Sequence, residues 1–259
     1  MTPIDTTLIQ VIASRCGVTV RQAEHTVQLL AEGATVPFIS RYRKERTGGL
    51  DEVQVSAVKE QFERLSELEK RKETILASID EQGKLTPELR MKIEQCYEGA
   101  PLEDLYLPYR PKRRTRATVA REKGLEPLAA MLMRQDGARP DRLAERFVGG
   151  EVHDLQEALD GACDIIAEWV SESEAARSAM RRLFTREGVI SARVVKGKEQ
   201  EGAKYSDYFD WSEPLRRVAA HRLLAMVRAE REGFIKLSVL PDESAAVEQL
   251  ERIFIKRNP

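Results

Sequence analysis

Between positions 110 and 123 the chain sets seven basic residues (Arg110, Lys112, Arg113, Arg114, Arg116, Arg121 and Lys123) against a single acid, Glu122. Tyr106 and Tyr109 stand just before them. Cations at this density displace the counterions of a phosphate backbone, and neighbouring rings can stack on unpaired bases. The residue types therefore fit nucleic-acid contact. They equally fit ion pairs within the protein, because residues 151–174 hold eight carboxylates and no Lys or Arg. Both readings stay open at this point.

Two further constellations bear charge. Arg41, Arg43, Lys44 and Arg46 follow a pair of short helices and could add phosphate contacts. Downstream, the aromatic and acidic stretch YSDYFDW (205–211) precedes a basic amphipathic helix containing His221 and Arg222. Those two side chains could meet a partner or an anion. The plainer alternative makes Tyr208, Phe209 and Trp211 core anchors and His221 a buried donor.

Catalysis finds little support. No phosphate-cradling glycine loop, no dinucleotide fingerprint, no His-Glu-x-x-His zinc motif and no nucleophile elbow is present. The three histidines, at 25, 153 and 221, are far apart, and the helical carboxylates fit solvated faces and i,i+4 partners. We expect no enzymatic activity, no cofactor and no small-molecule substrate. Cys16, Cys96 and Cys163 are odd in number with no C-x-x-C pair, so neither a zinc site nor a disulfide framework is implied.

The 259 residues carry 42 Lys+Arg against 43 Asp+Glu, a formal net charge of −1. That total hides segregation: a basic stretch at 110–123 offsets an acidic one at 151–174. A charged fraction of 33% beside 42% hydrophobic residues describes a well-solvated chain with enough apolar content to fold. No run approaches the ~20 apolar residues of a membrane span. The start, MTPIDTTLIQ, lacks a secretory signal. A reduced, cytoplasmic location is expected.

Helical spacing dominates the elements that must position these groups. Leu8 and Ile12, then Ala23, Val27 and Leu30, predict two short helices around Gly17, with Thr19 capping the second and Thr35 the next. The result is a helix-turn-helix-like start. Asp51 and Gln54 form a capping-box signature, Leu50 can staple onto Val55, and a long spine helix should run to about Asp80, packed by its neighbours rather than zipped to a second copy. Thr86-Pro87 opens another helix that Gly99-Ala100-Pro101 should close. Pro108 and Pro111 then predict an extended segment through 102–116. Helices are expected at 118–123, 125–135, 141–148, 152–170, 173–187, 214–231 and 243–255. Residues 189–195 and 234–240 read as two short strands, a small sheet patch or βαβ-like piece. The fold class is mainly α, with domains expected at 1–49 (helix-turn-helix-like), 50–187 (helical, bearing the spine and basic loop) and 188–259 (small α+β).

Three segments carry a family resemblance: TVPFISRYRKERTGGLDE (35–52), LEDLYLPYRPKRRTRATVAREKGLEPLA (102–129) and YSDYFDWSEPLRRVAAHRLLAMVRAEREG (205–233). In order and length they closely resemble the N-terminal region of the bacterial Tex family of transcription accessory proteins. Ala220 and Ala229 depart from the Ser and Gly expected there. The resemblance implies a mostly helical front portion of a longer protein that continues into a ribonuclease-H-like (YqgF) domain, helix-hairpin-helix motifs and an S1 domain. It further implies a role in transcription, with RNA and/or DNA as partners. The alternative it allows is a protein-interaction module that docks RNA polymerase or another transcription component and leaves nucleic acid to the S1 domain.

Overall fold

The computed structural model describes residues 6–111 and 113–256. Two compact units divide the chain, Met1–Tyr109 and Arg110–Pro259.

In the first unit, α1 (Thr6–Cys16), α2 (Val20–Ala31), α3 (Val36–Tyr42) and α4 (Lys44–Thr47) gather against the long helix α5 (Glu52–Glu81). Local chemistry sets the boundaries. Thr19 makes a capping box with Gln22, and Asp51 makes one with Gln54, so each reciprocally satisfies two backbone donors that a helix start leaves unpaired. Leu50 and Val55 are buried in one cluster with Leu29 and Ile39, which closes the staple. Along α5 the buried positions Val55, Val58, Leu65, Ile75 and Ile79 form the stripe that neighbouring helices cover. Each such aliphatic side chain contributes about 1.5–3 kcal/mol by leaving water. The spine is thus covered by helices of its own unit.

The sequence expectation fails between positions 99 and 109. Gly99 does not close a helix. The preceding α6 (Pro87–Glu94) ends earlier, and Gly99 opens α7 (Gly99–Tyr106), with a 3-10 turn at Leu107–Tyr109. Pro101 sits in the first turn of α7, where a missing N–H costs nothing. Leu102 and Tyr106 are buried against Ile75, Ile79 and Ile93, and that burial favours helix over the extended path expected for 102–116.

The second unit begins with α8 (Arg116–Glu122), capped by Thr115, followed by α9 (Glu126–Arg134) and α10 (Pro140–Ala144). These pack on α11 (Leu155–Glu172), which is followed by α12 (Glu174–Glu187). Ala120, Leu125, Leu128, Ala158, Ala162 and Ile165 form the core between them. Beyond α12 lies a three-stranded antiparallel sheet in the order β2-β1-β3, with β1 (Val189–Val194) central, β2 (Asp210–Pro214) on one side and β3 (Ile235–Leu240) on the other. Sequence spacing finds β1 and β3. The strand β2 takes residues expected to lead into a helix, so the following α13 (Ala220–Arg231) starts later than position 214. Antiparallel pairing also replaces the βαβ alternative. Ile190, Ala192, Met226, Ala229 and Ile235 are the buried centre of this layer, and α14 (Glu243–Phe254) packs against α12. Among the described residues no helix is long and apolar enough to cross a membrane.

Candidate nucleic-acid interface

The basic stretch at 110–123 is half loop and half helix. Arg110, Arg113 and Arg114 precede Thr115, whose hydroxyl accepts from the Thr118 N–H at 3.1 Å and starts α8. That start turns Arg116 and Arg121 into helical positions and brings the C-terminal end of the stretch over α11. There the charges pair. Arg121 Nη1 donates to Glu168 Oε1 at 2.7 Å, with Glu168 only 10% exposed. Burial opposes the Arg121 charge, but the hydrogen bond and charge of Glu168 together with those of Glu126 outweigh it and hold the guanidinium pKa above its ordinary value. Lys123 pairs with Glu157, whose carboxylate also accepts from the His153 backbone N–H at 2.8 Å. Those two contacts, the backbone one first, hold the Glu157 pKa below the ordinary carboxylate range.

The N-terminal end differs. Arg114 bonds Glu122 at 2.7 Å with 70% of its side chain exposed, and Arg116 lies 3.6 Å from Asp164 with 88% exposed. Pairs this open contribute at most about 1 kcal/mol and are readily exchanged for another anion. Arg110 and Arg113 are exposed and have no carboxylate partner among the described residues. Lys112 lies outside the described residues. Ion pairing inside the protein therefore absorbs Arg121 and Lys123, while Arg110 and Arg113 remain open to solvent.

The tyrosines separate in the same way. Tyr106 is a core residue: its hydroxyl lies 3.1 Å from Ser78 Oγ and the Arg71 guanidinium covers its ring at 5.3 Å. It is not a stacking surface. Tyr109 packs partly against the same core, and its carbonyl accepts from Gln82.

In the first unit, Arg41 and Lys44 are exposed without carboxylate partners among the described residues, whereas Arg46 approaches Glu32 at 3.9 Å. Arg43 lies 4.9 Å over the ring of Phe38, which in turn meets Tyr42 at a centroid distance of 5.6 Å. Phe38 is 40% and Tyr42 64% exposed, while Ile39 points into the core. Two solvent-facing rings among four cations make a surface suited to unpaired bases and phosphates together. Sequence reading singled out the cations and missed the rings. The signal available was their i,i+4 spacing beside the four cations.

Arg222 and His221 part company. The Arg222 guanidinium donates to both oxygens of Glu213, at 2.8 and 3.0 Å, and lies 4.9 Å over Trp211. This contact, followed by the Trp211 N–H, holds the Glu213 pKa below the ordinary range. Tyr208, Phe209 and Trp211 pack on the core of the sheet layer, as the plainer reading has it. His221 is exposed rather than a buried donor, because it falls on the outer face of α13. No group of three or more His, Cys, Asp or Glu among the described residues could hold a metal ion.

Fold and surface together define a mainly helical scaffold that displays segregated charge and exposed aromatic rings. Two family models match it: the Tex-like protein N-terminal domain over residues 6–80 and the Tex central region-like model over residues 135–257. Together they span well over half of the chain, which belongs to the Tex family. It is 42% identical over 246 residues to "Transcriptional accessory protein Tex" of Neisseria gonorrhoeae, covering 94% of this chain and 32% of that protein. "Protein YhgF" of Escherichia coli (strain K12) is 46% identical over 235 residues, 90% of this chain and 30% of its own. The human "S1 RNA-binding domain-containing protein 1" is 26% identical over 248 residues, 90% of this chain and 24% of its own. The chain thus spans about a third of the length of the curated bacterial relatives it matches.

Proposed function

We propose that this chain is a non-enzymatic scaffold acting in transcription, in the cytoplasm, that contacts RNA or DNA without reading sequence. The observation that carries the reading is the set of exposed cations left without carboxylate partners among the described residues, Arg41 and Lys44 beside Phe38 and Tyr42, and Arg110 and Arg113 ahead of α8. Such cations position a phosphate backbone and carry no base information of their own. The names of relatives, a transcriptional accessory protein and an S1 RNA-binding domain protein, agree with this assignment. The test is anisotropy of labelled single-stranded RNA, single-stranded DNA and duplex DNA against salt, for the chain and for an Arg110→Glu/Arg113→Glu variant. The reading expects lower affinity and a shallower salt dependence in the variant. Unchanged affinity and slope would remove this segment from the interface.

A second reading is favoured by one feature. On α13, Leu224 is 70% and Val227 47% exposed, which suits protein docking to a transcription component such as RNA polymerase. It predicts co-purification that survives nuclease treatment and is lost in Leu224→Ser.

A further inference from the structure

Helix α12 holds a third concentration of cations. Ser178, Arg181, Arg182, Thr185 and Arg186 of this helix line a groove of about 420 Å³ together with Arg216 from the 3-10 turn Leu215–Arg217. No carboxylate is among these lining residues. Arg182 donates to Ser178 Oγ at 2.7 Å, which orients its guanidinium along the helix and leaves the serine hydrogen free to donate outward. Arg186 is braced by its neighbour Glu187 at 2.8 Å, with 62% of its side chain exposed. Arg182 and Arg216 are exposed and have no carboxylate partner among the described residues. The Thr185 hydroxyl is spent on the Arg181 carbonyl at 2.8 Å, so the outward donors are guanidinium groups and Ser178.

The chemistry selects the ligand. The guanidinium forks of Arg182 and Arg216, with Arg186 beside them, match the oxygens of phosphate esters, which they can grip through paired N–H donors. No aromatic side chain lines the groove, so its phosphate-binding guanidinium groups are not joined by a stacking ring. One α-helical repeat of four residues separates Arg182 from Arg186 by about 6 Å, which spreads charge along the groove rather than focusing it on a point. We propose that this groove binds the phosphodiester backbone of a nucleic-acid strand, as a phosphate site additional to the segments at 41–46 and 110–116. The inference rests on the nucleic-acid reading above and adds to it a place of contact.

The experiment uses the whole chain and an Arg182→Gln/Arg216→Gln variant, neither change touching a buried group. Binding of labelled single-stranded RNA is titrated at several salt concentrations, with the Arg110→Glu/Arg113→Glu variant alongside. The groove predicts about tenfold weaker binding at low salt and a log–log salt slope smaller by about 2, with the melting temperature unchanged. If the parent binds RNA and the loop variant weakens it while the groove variant leaves affinity and slope intact, the groove assignment fails and the broader reading stands. If the parent binds no nucleic acid at any salt, both fail. Millimolar inorganic phosphate at matched ionic strength should leave the difference between parent and groove variant in place. If the parent and the groove variant bind RNA alike while inorganic phosphate raises the melting temperature of the parent only, the groove takes free phosphate and the backbone assignment is overturned.

Discussion

Replacing Arg121 by Gln and Arg113 by Gln should separate two roles within one basic stretch. Arg121 is 29% exposed and its partner Glu168 10%, joined at 2.7 Å. Removing the guanidinium takes a 2.7 Å charged bond from a nearly buried carboxylate that also accepts from Thr115 Oγ1 at 3.2 Å. The cost lies between that of breaking an exposed pair, below about 1 kcal/mol, and that of breaking a buried one, about 3–5 kcal/mol, so about 2 kcal/mol is expected. For a unit of this size that lowers the melting temperature by roughly 4–8 °C. Arg113 has no carboxylate partner among the described residues, so its loss should stay within about 0.5 kcal/mol. Thermal unfolding followed by circular dichroism measures both, and RNA binding should respond in the opposite order. Equal destabilisation by the two substitutions would refute the division of the stretch into a structural and an exposed part. So would loss of RNA binding in Arg121→Gln with no change in stability.

Other outcomes follow from the same contacts. Gly161→Ala places a Cβ 2.4 Å from Leu125 Cδ1 and 3.3 Å from Ala120 Cβ, and Leu125 is buried. Overpacking of about 1–3 kcal/mol exceeds the helix-propensity gain of about 1 kcal/mol, so denaturant titration should show a net loss of about 1 kcal/mol, and stabilisation would contradict the α8–α11 packing. Tyr42→Ala should weaken single-stranded RNA by about 1–3 kcal/mol while leaving the salt slope and duplex DNA affinity alone; an equal effect on duplex would argue against stacking. Glu157, Glu213 and Glu232 are all held below their ordinary pKa, by the His153 N–H, Arg222 and Lys204 respectively. Their contribution to stability is full above the unfolded carboxylate value of about 4.3, and is lost as pH falls through the lower folded values. Unfolding free energy should therefore decline below that pH, and Glu213→Gln should flatten the decline.

The helix starts were legible because their signals are local. Thr19, Asp51 with Gln54, and Thr86 with Pro87 each act within one turn, and each caps the helix that its pattern announces. The segment at 99–106 was misread because Gly-Ala-Pro fits a helix end as well as a helix start, and only the burial of Leu102 and Tyr106 decides between them. Strand β2 was missed because Asp210, Ser212 and Pro214 face solvent on an edge, leaving Trp211 as the one large apolar residue in the strand. Its pairing to β1, with Ala192 opposite Trp211, is a long-range fact that no local pattern encodes. Charge segregation between 110–123 and 151–174 was visible in the sequence. Which cations that segregation consumes was not, because it depends on the placement of α8 over α11.

The claim that this scaffold touches nucleic acid is tested most directly by photo-crosslinking the whole chain to a 4-thiouridine-substituted single-stranded RNA and mapping the adducts by mass spectrometry. The account predicts adducts on peptides holding Phe38, Tyr42 and Lys44 and on those holding Tyr109, Arg110 and Arg113. Adducts confined to the outer face of α13, or no adducts where a known RNA-binding control gives them, would contradict it.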